Sequence, residues 1–131
     1  MAIIPGIKNF DIVKRSDFPL TLTFKDGNGN PLSLNGYTVA AQVWDVNRKV
    51  KFADWAITYT NRGAGLIDIK LTDAQTDNFI VGTLKYDIKL TEPSGDEYYY
   101  MKGNLNVSEG YTQWVVLQIK LKYHKSQMLQ L

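Results

Sequence analysis

The segment Asp26-Gly-Asn-Gly-Asn30 has the spacing of oxygen ligands that opens a calcium-binding loop. Such a loop has glycine at its sixth position and glutamate at its twelfth, whereas here these positions hold Pro31 and Tyr37. Asp-Gly and Asn-Gly pairs are also typical of tight turns, because these residues tolerate positive φ. The sequence therefore predicts a hairpin turn, with no metal site and no cofactor.

Catalytic side chains are hard to assemble from this sequence. Asp68 and Asp87 each lie in an alternating strand pattern, which predicts that both face solvent instead of forming an acid/base couple. The chain has no cysteine and a single histidine, His124, so thiolate chemistry is excluded and a triad is disfavoured. We expect a protein that is not an enzyme.

Aromatic residues are the remaining candidates for recognition. They include Trp44, Trp55, Trp114 and the run Tyr98-Tyr-Tyr100, in which at least one ring should face outward. Aromatic side chains fill sandwich cores and anchor protein interfaces, which is the interpretation we favour. The alternative is a platform for stacking sugars, in which Trp44 and Tyr99 would be the binding residues.

Short alternating strands position these residues. Apolar and polar side chains alternate along five segments bounded by turn residues, near residues 18–24, 37–44, 55–61, 66–72 and 84–91, and a further strand is expected over residues 98–107. Thr72 and Gln75 have capping-box spacing, which predicts one helical turn over residues 73–78 that crosses between sheets. The pattern predicts an all-β antiparallel sandwich of about seven strands over residues 10–110.

The two ends differ from this body. Residues 1–9 are predicted to form an N-terminal arm, and residues 111–131 a C-terminal arm with an extra amphipathic strand. This strand either adds to the sheet of its own domain or augments that of a neighbouring subunit. The predicted partner interface consists of Tyr111, Trp114, Val115, Leu117, Ile119, Leu121, Tyr123 and Trp44.

Charge and hydropathy exclude several partners. The formal net charge is +2, and the segment beyond residue 110 carries three lysines and no acidic residue, which gives few phosphate contacts. No run of 18 apolar residues occurs, and the first five residues lack the basic region of a signal peptide. We therefore expect neither nucleic acid nor membrane as a partner, and no passage through a secretion channel.

The order of these segments resembles the immunoglobulin-like module of tailed-bacteriophage virion proteins. The pieces that carry the resemblance are Phe18-Pro-Leu-Thr-Leu-Thr-Phe24, Asp26-Gly27 with Gly29-Asn-Pro31, Leu34 with Gly36-Tyr37, Leu71-Thr72 with Gln75-Thr76, Tyr86-Asp87, and the strand from Gly103 to Val107. In that family the module has no catalytic residues, and it attaches receptor-binding parts to the tail or packs into a ring. Baseplate examples usually continue into a long fibre-like region, whereas this chain ends after one extra strand.

The resemblance implies a virion structural protein assembled in the host cytoplasm, with other virion proteins and further copies of itself as partners. A tail or baseplate adaptor is the leading hypothesis. A capsid decoration (cement) protein or a neck protein is the alternative, and a carbohydrate-binding module is a third hypothesis from a different class.

Overall fold

The computed structural model describes residues 6–112, which form two β-sheets and two short helical turns. The strands of this range are β1 (Gly6–Ile7), β2 (Phe10–Val13), β3 (Phe18–Thr23), β4 (Thr38–Trp44), β5 (Lys51–Asp54), β6 (Ala56–Asn61), β7 (Leu66–Leu71), β8 (Gly82–Thr91) and β9 (Glu97–Ser108). The helical turns are a 3₁₀ turn at Arg62–Ala64 and α1 at Asp73–Thr76. Among residues 6–112, no helix has the length and hydropathy needed to cross a membrane.

The strands divide unequally between the sheets. The large sheet has the order β1-β9-β8-β4-β5, with β2 also on the outer edge of β9, and the small sheet has the order β3-β7-β6. All pairs are antiparallel except that β1 and β2 run parallel to β9. Within residues 6–112 the chain changes sheet after β2, β3, β5 and β7, so the two layers are joined at four places.

The core lies between the inner faces of the two sheets. Alternate residues of the strands point inward as the sequence predicts, and Leu84, Ile88 and Leu90 of β8 are fully buried. They meet the fully buried Ile67 and Leu71 from the small sheet in a single cluster. The predicted all-β sandwich is confirmed.

The crossing between sheets is made by α1, as predicted. The Thr72 hydroxyl accepts from the backbone N–H of Gln75, and the Gln75 side chain accepts from the backbone N–H of Thr72, which completes the capping box. Thr76 is fully buried, and its hydroxyl donates to the carbonyl of Ser16 at 2.8 Å. This bond ties the crossing to the loop that precedes β3.

The described part of the predicted N-terminal arm, residues 6–9, runs along the edge of β9. Within residues 6–9, β1 pairs with β9 and the Lys8 N–H donates to the Lys102 carbonyl at 2.9 Å. The Tyr86 hydroxyl donates to the Lys8 carbonyl at 2.7 Å. A Cβ on Gly103 would lie 1.8 Å from that same carbonyl oxygen, so glycine is what allows the close approach. Gly6 and Ile7 therefore belong to the large sheet, and Lys8 and Asn9 are bonded along the edge of β9.

Candidate functional site

A groove of about 330 Å³ lies on the outer face of the large sheet, over β4, β8 and the start of β9. Strand pairing sets its layout in three rows: Trp44 opposite Lys85, Gln42 opposite Asp87, and Ala40 opposite Lys89. Lys89 in turn pairs with Tyr99 on β9. We name this surface, with Arg48 from the loop after β4, the outer-face groove.

One wall of the groove is Trp44, which a chain of hydrogen bonds fixes in place. Its indole Nε1 donates to Gln42 Oε1 at 2.9 Å, and Gln42 Nε2 donates to Asp54 Oδ1 at 2.9 Å. Lys51 Nζ binds the other oxygen of Asp54 at 2.9 Å. The Arg48 guanidinium lies 5.0 Å from the Trp44 ring centre, within cation–π range.

The opposite wall is Tyr99, whose side chain is exposed because of a register shift. The pairing of β8 with β9 shifts between Ile88 and Lys89, so that Tyr100 has no partner on β8. Tyr100 packs inward against Phe24 with ring centres 4.3 Å apart, while Tyr99 stays outward at 48% exposure. The expectation that one ring of the tyrosine run faces outward is confirmed.

Two cations flank Tyr99 and Trp44 but are already engaged. Lys89 Nζ lies 5.4 Å from the Tyr99 ring centre and donates to Glu97 Oε1 at 2.9 Å, which raises the pKa of Lys89. Lys85 Nζ donates to Asn104 Oδ1 at 2.6 Å. These contacts hold both ammonium groups at the rim.

The floor of the groove carries the half-buried carboxylate of Asp87. Burial raises the pKa of Asp87 above its ordinary value, while the charges of Lys89 and Arg48 act in the opposite direction with smaller effect. Within residues 6–112, this carboxylate forms no ion pair within 4.0 Å and no hydrogen bond. The groove therefore contains a hydrogen-bond acceptor, the Asp87 carboxylate, whose ionisation reduces the stability of the fold.

Replacing Asp87 by Asn should raise the melting temperature at pH 7. A raised folded-state pKa means that ionisation costs folding free energy, and this cost disappears below the unfolded value of 3.8, where both states are protonated. The gain in melting temperature should therefore shrink as the pH falls toward 3.8. Thermal unfolding followed by circular dichroism over this pH range measures it.

Asp68→Asn is the matched control, because hydrogen bonds from the Thr21 and Thr60 hydroxyls lower the pKa of Asp68. A lowered folded-state pKa stabilises the fold above the unfolded value and stops doing so as the pH falls through the folded one. Asp68→Asn should therefore lower the melting temperature at pH 7. If both variants shift it in the same direction, burial does not dominate at Asp87.

The other sequence candidates for chemistry are dispersed. Asp68 lies on the outer face of the small sheet and Asp87 on that of the large sheet, so they cannot act as a couple. Asp26 Oδ1 accepts from the backbone N–H groups of Asn28 and Asn30, which confirms a tight turn there. Within the described part of the chain, no three acidic, His or Cys side chains are grouped as metal ligands.

The predicted interface residues are only partly placed. Trp44 belongs to the outer-face groove, and Tyr111 follows β9 with 90% exposure. Trp44 lies in one row with Lys85 and Asn104 across three strands, and Asn104 comes seven residues before Tyr111. Trp44 and Tyr111 therefore lie on separate surfaces. Trp114, Val115, Leu117, Ile119, Leu121 and Tyr123 lie outside the described residues.

A second surface surrounds the end of β9, and the sequence analysis missed most of it. Val13 is the last residue of β2 and pairs with Ser108, and Val81 precedes Gly82, which pairs with Val107. Four exposed apolar side chains make up this surface, which we name the β9-end patch: Val13, Ile80, Val81 and Tyr111. The sequence does show aliphatic residues next to strand ends. Predicting that they form one patch also requires knowing that β2 and β8 flank β9.

Arg15 fixes the direction in which the chain leaves β9. Its Nε donates to the Gly110 carbonyl at 2.9 Å, and its guanidinium also contacts Asp77 at 3.0 Å and the carboxylate of Glu109. Arg15 itself has a φ of 67°, in the left-handed region. The exit of the chain is therefore held against the sandwich beside the β9-end patch.

No protein-family model and no curated protein matches the sequence. A structure described as ICOS in complex with ICOS-L and an anti ICOS-L VNAR domain is similar, with 13% identity, a TM-score of 0.50, and coverage of 79% of this chain and 56% of that chain. The Lin-41 filamin domain matches at 15% identity and a TM-score of 0.44, over 76% and 84% of the two chains. CopC from Methylosinus trichosporium OB3b matches at 12% identity and a TM-score of 0.48, over 79% and 88%. With the strand order above, the likeness to the ICOS complex structure shows an immunoglobulin-like β-sandwich fold.

Proposed function

We propose that this chain is a non-enzymatic structural protein of a tailed-bacteriophage virion, and that it assembles through the β9-end patch and its terminal segments. A tail or baseplate adaptor is the preferred role. Its partners are other virion proteins and further copies of the chain, and it is assembled in the host cytoplasm. The proposal rests on the order of sequence segments quoted above and on one structural observation.

That observation is the exposed β9-end patch at the point where the chain leaves the sandwich. Ile80 and Val81 are 53% and 57% exposed, and Tyr111 is 90% exposed. Apolar residues grouped at one place on a surface favour a protein–protein contact over a solvated role. Arg15 holds Gly110 beside this patch, and Gly110 comes five residues before the amphipathic sequence pattern from Val115 to Tyr123.

The association test is light-scattering mass after size exclusion, on the full chain and on a version ending at Thr112. We expect the full chain to exceed the monomer mass of 14.9 kDa and the truncated version to be a folded monomer. The truncated version retains the core described above, so circular dichroism can verify its fold. Two folded monomers at every concentration tested would contradict self-assembly through the C-terminal segment.

Point variants separate the patch from the segment. Val81→Ser, in the patch, should reduce association. Ile7→Ser should not reduce it, although Ile7 is 72% exposed, because Ile7 pairs with Lys102 and so lies far along β9 from the patch. Equal effects of the two variants would show that general surface hydrophobicity, not the patch, drives association.

A capsid decoration or neck protein would use the same surface. Cross-linking in assembled particles, followed by mass spectrometry, distinguishes the roles. Cross-links from residues near the β9-end patch to tail proteins support the adaptor, and cross-links to head proteins support the alternative.

The third hypothesis, carbohydrate binding, is favoured by one specific observation, which is that Trp44 and Tyr99 line the same groove.

A further inference from the structure

We infer that the outer-face groove is a binding site for a neutral saccharide of one or two rings. Asp87 and Arg48 would bind hydroxyl groups, and Tyr99 and Trp44 would form the apolar walls. This site is separate from the β9-end patch, so the inference does not depend on the assembly role proposed above.

The charge balance of the groove selects the class of ligand. Asp45 Oδ1 already accepts from the backbone N–H groups of Lys49 and Val50, at 2.6 and 3.0 Å. Lys85 and Lys89 are bonded to Asn104 and Glu97, as described above. Glu97 balances the charge of Lys89. The other charged groups of the lining are two cations, Lys85 and Arg48, and two anions, Asp45 and Asp87, so the groove has no net charge, which matches a neutral molecule. Within residues 6–112, Arg48 and Asp87 are the pair in this lining whose charged groups form no hydrogen bond.

Hydroxyl groups fit this pair because each can both donate and accept a hydrogen bond. The Asp87 carboxylate needs donors, and the Arg48 guanidinium needs acceptors. A charged ligand gains little net attraction, because for an anion the attraction to Arg48 and Lys85 is offset by repulsion from Asp87 and Asp45, and for an ammonium group the signs are reversed. A proline-rich peptide could lie on the aromatic rings, but proline has no N–H to offer Asp87.

The walls and the size agree with a sugar ring. Tyr99 presents an exposed aromatic surface, and Ala40, in the same row of the lining, contributes only a methyl group. The faces of a sugar ring carry C–H groups that pack on aromatic rings. A volume of about 330 Å³ lies at the lower end of the range for ligand sites, which suits one or two rings.

The rigidity of the site lowers the cost of binding. The bonds from Trp44 to Gln42 and from Gln42 to Asp54 fix one wall before any ligand arrives. The floor lies on paired strands in the interior of the large sheet, not on a loop. Groups held in place in this way lose little conformational freedom on binding.

The test is a nuclear magnetic resonance titration of the ¹⁵N-labelled full chain with the methyl glycosides of glucose, galactose, mannose and N-acetylglucosamine. The Trp44 indole N–H reports directly on the groove. We expect at least one glycoside to cause saturable shifts at Trp44, Asp87 and Tyr99, with a millimolar dissociation constant. If no glycoside causes a saturable shift at these residues, the inference is wrong.

Variants distinguish a specific site from surface stickiness. Tyr99→Ala and Asp87→Asn should each weaken binding by about tenfold, while Tyr111→Ala, an exposed tyrosine of the β9-end patch, should leave it unchanged. Asp87→Asn should do so while raising thermal stability, which excludes unfolding as the cause. Undiminished binding in both groove variants, or shifts only for a proline-rich peptide used as a second probe, would overturn the inference.

The version ending at Thr112 separates this inference from the proposed function. It should bind the same glycoside with unchanged affinity, since every groove residue lies between Ala40 and Tyr99. Binding that disappears in this monomeric version would place the ligand at an assembly interface and would contradict a site within the groove.

Discussion

Gly103→Ala is expected to lower the free energy of unfolding by about 3 kcal/mol or more, the range of severe single substitutions. An added Cβ would lie 1.8 Å from the Lys8 carbonyl oxygen and 2.7 Å from its carbon. These are backbone atoms of a paired segment, so no side-chain rotation can relieve the overlap. The N-terminal strands would have to move off β9, and Tyr86 would lose the carbonyl that its hydroxyl binds. Urea unfolding measures the loss.

Gly27→Ala is the matched control, because a Cβ at Gly27 meets no atom within 4 Å. It should change stability by less than about 0.5 kcal/mol, as surface substitutions usually do. In Gly103→Ala, hydrogen exchange at the Lys8 and Lys14 amides, which donate to Lys102 and Ser108, should accelerate most. A loss below about 1 kcal/mol with protected amides would mean that the N-terminal segment does not cross β9 at Gly103.

Parts of the fold that depend on local signals were predictable from the sequence. Strands such as β7 and β8 alternate over six residues or more, so their inner faces are determined by a period of two. The crossing turn is determined by Thr72 and Gln75, whose bonds reach only three residues. In both cases the information lies within a few residues of the structure that it predicts.

Long-range pairings were not predictable in the same way. β1 and β2 pair with β9 across about 95 residues, as the bond from Asn104 N–H to Asn9 illustrates. They have two and four residues, too few for a periodic pattern. The glycine that admits them, Gly103, looks like any other glycine until the Lys8 carbonyl is placed against it. Residues 6–112 therefore contain nine strands, where the pattern predicted about seven over residues 10–110.

The outer-face groove shows the same division. Residue type alone identified Trp44 and Tyr99 as candidates for recognition. Their shared face depends on the strand order β9-β8-β4 and on the register shift between Ile88 and Lys89. Asp87 was expected on a solvent face, and it does face outward, but its neighbours from three strands and a loop make it half-buried.

Phe79→Ala is expected to lower the free energy of unfolding by about 3–5 kcal/mol, the cost of removing a buried phenylalanine side chain. Phe79 is 1% exposed and lies between α1 and β8, where no alternating pattern marks it as a core residue. Its ring meets that of Phe52 edge-on, with centres 6.0 Å apart. Removing it leaves a cavity under the crossing between sheets, and chemical denaturation measures the cost.

Ile80→Ala, one position further along the chain, separates stability from assembly. Ile80 is 53% exposed in the β9-end patch, so its truncation should change the free energy of unfolding by less than about 0.5 kcal/mol. The same variant should reduce association of the full chain in light scattering, because it removes apolar surface from the proposed contact. We expect a large loss in the free energy of unfolding for Phe79→Ala and no such loss for Ile80→Ala. If Ile80→Ala is stable and its association is unchanged, Ile80 is not part of the contact.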